Sequence, residues 1–482
     1  MKQLLKYTTL IASITIMAVT GCKVAKPVQM PAVRSMPDSF GASTSSSSGA
    51  ANISWREFFQ DKLLVALLDT ALNNNPDLLI TLQRIEIARA QLSMRKGALL
   101  PNINGVISGG ADHYGDYTMN GVGNFDTNLS PNINKDQKIP VDLTPDLFAG
   151  IRSSWEIDIW GKLKNQRRAA VARLLSTEKG RQLAITSLVA EVAGLYYELL
   201  ALDAELKIIK KNISLQQAAL DIVKIQKEGG RATELAVQQF KAQLLNTQAI
   251  EFTTQQQIIA VENQLNVLAG RYPSSIPRDT ALMQQQLPGV LQAGLPSALL
   301  TRRPDIQQAE LELEAAKADV GAARAAFFPS LNLSAYIGVN AFKPALLFNA
   351  GSVVYGALAG ITAPIFNQRQ IKAGYAIANA QNKEAVYNYQ KILLSSFSEV
   401  ITGLKTIGLY QQSFALKEQE VKELTNAVAT ARELYLTGYA NYLEVITAQK
   451  GVLDAELQLT SNKKELFQSS ISLYRSLGGG WE

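Results

Sequence analysis

The chain contains one stretch twice. Pro304-Asp305, a helical run rich in Ala and Glu, and Phe327-Phe328-Pro329 repeat a frame found 228 residues earlier, from Pro76-Asp77 to Leu99-Leu100-Pro101. Both prolines, Asp77/Asp305, Glu86/Glu314, Ala88/Ala316, Ala90/Ala318 and Ala98/Ala326 match without a gap. A second register, offset by 208, pairs Glu191-Val192 with Glu399-Val400, Gly230 with Gly438, Ala232 with Ala440, Leu235 with Leu443, Val237 with Val445, Leu265 with Leu473 and Gly270 with Gly478. Two Ala-rich helices can align by chance, but paired prolines at both ends and a long second register argue against that. A period of about half the chain points to one duplicated unit, not a solenoid of short repeats. The expected organisation is a tandem structural repeat, residues 55–270 and 296–482. A connector over 271–295 carries Pro273, Pro277 and Pro288.

Each half reads as helix, strand hairpin, long helical hairpin. Trp55 to Leu72 has apolar residues at helical spacing, closed by Asn73, Asn74 and Asn75. A second helix follows from about Pro76 to Ala98, with proline well placed in its first turn. Residues 102–110 are short, polar and glycine-containing, and residues 111–145 read as a loop rich in Gly, Asn and Asp. From Phe148 to Trp160, Ile151, Ser153, Trp155, Ile157 and Ile159 alternate with Arg152, Ser154, Glu156 and Asp158, which predicts a strand. Leu331, Leu333, Ala335 and Ile337, then Tyr355, Ala357, Ala359 and Ile361, repeat the alternation in the second half. Such strands suit half of a soluble sheet or a membrane barrel wall equally well. Four strands cannot close a barrel, and lipid tolerates no open edge. Membrane strands would therefore have to come from several chains, and three copies would supply twelve.

The long helices are coiled-coil in pattern. Ile185, Leu188, Val192, Leu195, Leu199, Leu202, Leu206, Ile209 and Ile213 keep three–four spacing, Gly229-Gly230 breaks the run, and Thr233 to Leu268 returns. In the second half Phe397, Val400, Leu404 and Ile407 go out, Gly438 turns, and Leu443 to Leu477 returns. A run of about fifty residues would be roughly 75 Å long. Most of these leucines are seam packing.

The N-terminus carries Lys2, Lys6, an apolar run from Leu10 to Val19 and then Val19-Thr20-Gly21-Cys22. This is too short for a membrane span and reads as a signal peptide over 1–21. The closing four residues resemble a bacterial lipobox, which implies diacylglycerol and a further acyl chain (palmitate) on Cys22. Several chains would anchor firmly, at about 0.8 kcal/mol per buried methylene. Lys23 in place of an aspartate favours the outer membrane. Residues 22–54, with Pro27, Pro31, Pro37 and the run Ser43 to Ser48, read as a lipid-anchored extended arm.

Several function classes drop out. One Cys and one His, Cys22 and His113, support neither a disulfide framework nor a Cys/His metal site within one chain. No catalytic constellation and no cofactor motif stand out. The net charge of +6, about +4 without the leader, is too weak to argue for nucleic acid.

The run Gly294-Leu295-Pro296-Ser297-Ala298-Leu299-Leu300-Thr301-Arg302-Arg303-Pro304-Asp305-Ile306 closely resembles a signature of the TolC-like outer-membrane factor family, in its lipoprotein branch (the NodT or OprM type). Ala325-Ala326-Phe327-Phe328-Pro329-Ser330-Leu331 and Trp155-Glu156-Ile157-Asp158-Ile159-Trp160-Gly161 are similar to its strand segments. Tyr435 to Gln449 resembles its second helical tip. The resemblance implies a mixed α+β membrane protein, mainly α. In it, a trimeric twelve-stranded β-barrel in outer-membrane lipid continues as a twelve-helix coiled-coil α-barrel. It implies a passive exit duct for small toxic compounds or drugs, driven by an inner-membrane pump of the resistance–nodulation–division (RND) type through a periplasmic adaptor, or membrane fusion, protein. On that reading Gly230, Ala232, Leu235, Gly438 and Ala440 would face the adaptor. Leu443 matches the apolar gate position. The position where relatives often carry an acidic gate residue is Thr447 here, and Glu444 is the candidate substitute. Arg302, Arg303 and Asp305 read as capping and pairing at a helix start. A duct for type I protein secretion and a lipid-anchored periplasmic scaffold without a pore are the alternatives.

Overall fold

The computed structural model describes residues 28–33, 35–37, 39–40, 53–278, 282–285, 296–365, 367 and 369–481. The leader, Cys22, most of the arm and part of the connector lie outside these residues. The chain forms α1 (Trp55–Phe58), α2 (Lys62–Asn74), α3 (Pro76–Gly97), β1 (Asn102–Asp112), α4 (Met119–Leu129), β2 (Thr144–Ile157), α5 (Lys162–Glu228) and α6 (Glu234–Leu268). There follow α7 (Ala298–Arg302), α8 (Pro304–Ala325), β3 (Ser330–Ala341), β4 (Val353–Thr362), α9 (Gln370–Thr437) and α10 (Tyr442–Ser476). The order helix, two strands, long helix, shorter helix thus occurs twice.

Two compact units divide the molecule. One draws on Met1–Pro31, Ile87–Leu174 and Glu312–Val386, the other on Ala32–Glu86, Leu175–Leu311 and Tyr387–Glu482. Both take residues from each half of the sequence.

The first unit holds one antiparallel sheet in the order β1-β2-β3-β4. Its register aligns Ile107 with Ala149, Ile151 with Ile337, and Ile337 with Tyr355. One face therefore carries Ile103, Ile107, Ile151, Trp155, Leu333, Ile337, Val353, Tyr355 and Ile361. The other carries Asn104, Asp146, Arg152, Glu156, Asn332, Ser334 and Asn340. Beyond the sheet, Asp158 accepts from the Leu163 and Lys164 amides at 3.1 and 2.8 Å, which starts α5. Ala169 and Ala172 of α5 pack on Ala315 and Ala318 of α8, small side chains that let two backbones approach. The Trp160 indole donates to the Pro329 carbonyl at 2.8 Å and stacks on Phe328.

The second unit is helical. Its largest core packs α1 and α2 (Phe58, Leu64, Leu68) on α5, α6 and α10 through Val192, Tyr196, Leu199, Leu265, Phe467 and Tyr474. Tyr197 stacks on Phe467 with centroids 4.4 Å apart, and Phe58 on Tyr474 at 4.1 Å. A second cluster joins Leu299, Ile306, Leu393, Val400, Leu473 and Leu477. Of the nine expected seam residues, Leu188, Val192, Leu199, Leu202 and Ile209 are buried, and Ile185, Leu195, Leu206 and Ile213 half-buried.

Several boundaries differ from the sequence expectation. The helix expected from Trp55 to Leu72 is two, because the Asp61 carboxylate accepts from the Leu63 and Leu64 amides and begins a new helix. The loop expected over 111–145 contains α4, capped by Thr118, and a one-turn helix closed by a capping box between Asn134 and Gln137. Strand β2 starts at Thr144 and stops at Ile157, where Asp158 turns the chain. The long helices run 67 and 68 residues rather than about fifty. The Ala-rich stretch after Lys162 carries no proline and stays helical, packing through the small side chains Ala169 and Ala172 rather than an apolar heptad stripe.

Candidate functional site

Two places could carry function: the ends of the helical hairpins and the polar face of the sheet. At the first tip, Gly230 takes φ +73° and the Arg231 amide donates back to the Gln226 carbonyl at 2.7 Å. Only glycine adopts this left-handed cap without penalty. Thr233 caps α6, with its hydroxyl accepting from the Ala236 amide at 3.2 Å. Lys227 and Glu234 pair across the tip, and that hydrogen bond holds the Glu234 carboxyl below its ordinary range.

The second tip repeats the device. Gly438 has φ +85°, and the Tyr439 amide donates to the Leu434 carbonyl at 2.8 Å. The Asn441 side chain accepts from the Leu443 and Glu444 amides at 2.9 and 3.2 Å and donates to the Glu444 carboxylate at 3.1 Å. Glu444 is thereby held at the start of α10.

One cluster joins the two tips. Val445 packs with Leu220, Val223, Ala236, Phe240 and Leu244, and Ala232, Tyr435 and Tyr442 lie against them. Val445 and Gln449 are buried, whereas Leu443, Glu444 and Thr447 are exposed. Leu443 and Thr447 are four residues apart and share a helix face, while Glu444 is turned about 100° away. Leu235 is 55% and Leu443 49% exposed, so both tips present leucine to the outside. Gly230, Gly438 and Leu235 are exposed, with Ala232 and Ala440 half-buried. Sequence reading missed Phe240 and Tyr435 as the anchors of the cluster. Tyr435 stands three residues before Gly438, but Phe240 lies ten residues after Gly230, beyond any signal local to the turn.

On the sheet, the polar face is built around Phe148, Arg152 and Tyr336. The Arg152 guanidinium carbon lies 4.6 Å from the Phe148 ring centroid. Sequence reading placed Arg152 on the polar face but gave it no role, since the residues opposite it, Asn104 and Tyr336, come from other strands. Among the described residues no group of three His, Cys, Asp or Glu is placed to hold a metal ion.

The chain as a whole is similar to known proteins. Residues 67–271 and 295–479 match the model of the family described as outer membrane efflux protein. The chain is 31% identical over 471 residues to the cation efflux system protein CusC of Escherichia coli, covering 97% of each. It is 30% identical over 427 residues to the solvent efflux pump outer membrane protein SrpC of Pseudomonas putida, covering 88% of this chain and 87% of that protein. A crystal structure of CusC superposes with a TM-score of 0.80 at 29% identity, over 95% of this chain and 100% of that one. The chain belongs to the outer membrane efflux protein family and is the outer-membrane channel component of an efflux system.

Proposed function

We propose that three copies of this chain form a passive, non-enzymatic exit duct, in which the sheets close a twelve-stranded barrel and the long helices a twelve-helix tunnel. The observation that carries this reading is the sheet. One of its faces is apolar across all four strands, and its outer strands, β1 and β4, have no further strand partner among the described residues. Ile107 is 91% and Ile361 74% exposed. Burying each such side chain is worth about 1.5–3 kcal/mol, so this face belongs against hydrocarbon. Strands of 11, 14, 12 and 10 residues suit a tilted crossing of a bilayer. Lipid, however, leaves every free edge amide at a cost of several kcal/mol. Pairing β4 of one copy with β1 of the next removes all edges when the ring closes. An 18-residue apolar window of α9 is 17% buried within one chain, which supports cover by neighbouring helices.

The proposed organisation follows the duplicated sequence: signal peptide 1–21, arm 22–54 anchored through Cys22, repeats 55–270 and 296–482, connector 271–295. Leu443 and Thr447, with Glu444 beside them, form the closure of the tunnel. The tips around Gly230, Ala232, Leu235, Gly438 and Ala440 take the periplasmic adaptor, through which an RND-type pump supplies the energy. Cargo is small molecules. The relatives named for cations and for solvents show that one architecture serves different chemistries.

Native mass spectrometry of the detergent-extracted protein tests the assembly. The expected species is a trimer carrying acyl mass on Cys22 of each copy. A monomer, or a dimer, would contradict the closed barrel.

A further inference from the structure

Arg152 is the only Lys or Arg in the four strands. It lies near the middle of β2 on the polar face, opposite Asn104 of β1 and Tyr336 of β3. Among the described residues it has no hydrogen bond or ion pair, only the Phe148 ring beneath it. The two nearest acids on β2 are engaged. Asp146 accepts from the Asn340 amide at 2.6 Å, and Glu156 pairs with Lys162 at 2.5 Å.

The support under Arg152 is layered. Phe148 is 6% exposed, and the tip of its ring reaches over Gly150 and Gly338. A Cβ at either glycine would come within 2.9 and 3.0 Å of the ring. The Tyr336 ring reaches over Gly356, where a Cβ would meet it at 2.7 Å. The Phe148 and Tyr336 rings stand 6.4 Å apart at 73°. Gly150 and Gly338 thus let β2 and β3 approach closely beneath the Phe148 ring, Gly356 leaves room for Tyr336, and the Phe148 ring seats the exposed guanidinium. Beside it is a groove of about 590 Å³ lined by Asn104, Asp146, Phe148, Arg152, Tyr336 and Asn340. That volume is in the range of small-molecule sites, about 300–1,000 Å³.

We infer that this groove is a transit subsite for planar aromatic carboxylates inside the barrel. A guanidinium fork matches a carboxylate through two parallel hydrogen bonds. The Tyr336 edge and the Asn104 and Asn340 amides flank the space where an attached ring would lie. A neutral aromatic alcohol lacks the charge, and an aromatic ammonium ion is repelled by Arg152 and drawn only to the engaged Asp146. The open, hydrated position sets the affinity on the order of millimolar, which suits a duct that must release its cargo. This assignment rests on the trimeric duct, because only there does the polar face become the lumen.

Benzoate is the probe. Current through the purified lipidated protein in planar bilayers at 0.1 M KCl is titrated with benzoate, benzyl alcohol and benzyltrimethylammonium, for wild type, Arg152→Gln, Arg152→Lys and Phe148→Leu. Saturation-transfer NMR on the same detergent-solubilised proteins reads benzoate contact without any need for conduction. Expected is a block by benzoate alone, weakened about five- to tenfold in Arg152→Gln and less in Arg152→Lys and Phe148→Leu. A conducting wild type that benzoate does not block, or an equal block in Arg152→Gln, overturns the subsite. Saturation transfer that depends on Arg152 in a protein that never conducts would keep the subsite and overturn the duct. Loss of both signals overturns both. Arg152 is exposed and has no hydrogen bond or ion pair among the described residues, so its variants are expected to fold, and trimer mass checks that they do.

Discussion

Arg303 and Glu399, 96 positions apart, meet at 2.9 Å at the start of α8. The same guanidinium holds Asp305 through two hydrogen bonds of 3.0 and 2.6 Å and donates to the Ser476 carbonyl at 2.9 Å. One side chain therefore ties α8, α9 and the end of α10. Burial works against its charge. Hydrogen bonding to Asp305, with the charges of Asp305 and Glu399, more than offsets that and leaves the Arg303 pKa above its ordinary value. Arg303→Ala strands two carboxylates and is expected to cost about 3 kcal/mol. Arg303→Lys keeps the charge without the fork and is expected to lose less. Thermal unfolding followed by circular dichroism ranks the two, and equal stability of all three proteins would contradict the tie.

Glycine at Gly270 and at Gly438 serves different ends. Both have positive φ, but a Cβ at Gly270 would meet the Asn74 carbonyl oxygen at 2.3 Å, whereas Gly438 faces open space. Gly438→Ala is expected to cost about 1–2 kcal/mol from backbone strain alone. Gly270→Ala adds overpacking and is expected to cost about 2–4 kcal/mol. Urea midpoints of the two variants give the order, and the reverse order would contradict it.

Asp61 does two things at once. It caps α2 and accepts from the Tyr196 hydroxyl at 3.0 Å, with the Gln285 amide on the same oxygen at 2.9 Å. Asp61→Ala removes a cap worth about 1 kcal/mol and the acceptor of a buried hydroxyl worth about 1–3 kcal/mol. The expected loss is about 2–4 kcal/mol. Asp61→Asn keeps a capping oxygen and is expected to lose about half of that, read from the same melting curves.

Glu205 predicts a pH dependence. Burial raises its carboxyl pKa; nearby Lys464 pulls it down and Glu198 pushes it up, with a net rise. An acid whose folded pKa is raised stabilises the fold when protonated and loses that contribution as pH rises from the ordinary carboxylate range through the folded value. Glu205→Gln is therefore expected to melt higher than wild type at pH 7.5 and level with it at pH 3.5. The side chain is partly exposed, so screening keeps the gain to no more than about 0.5 kcal/mol. A variant less stable than wild type at pH 7.5 would contradict the sign.

The sequence carried the parts whose signal is local and periodic. Alternation from Leu331 to Ile337 located β3, and Gly229-Gly230 and Gly438 located both helical turns to within a residue. Three–four spacing from Leu188 to Ile209 marked the buried seam. Other features depend on partners far along the chain. The break at Asp61 is stabilised by Tyr196, 135 residues away. Helix α4 has an apolar stripe of Met119, Val122, Phe125 and Leu129, but the glycines and asparagines among them read as loop. The Arg152 platform depends on the β2–β3 register, which sets Gly150 against Gly338, and no short window of sequence reveals that pairing. Of the helical tips, the turns and caps were legible. That Val445 packs against Phe240, and so joins the two tips, was not.

Single-channel conductance of the purified lipidated protein, measured beside a Leu443→Gly variant, tests the central claim most directly. Expected, on the proposal that exposed Leu443 closes the tunnel, are discrete openings from inserted trimers, small in wild type and clearly larger in the variant. Trimers that insert yet pass no current in either form would contradict it.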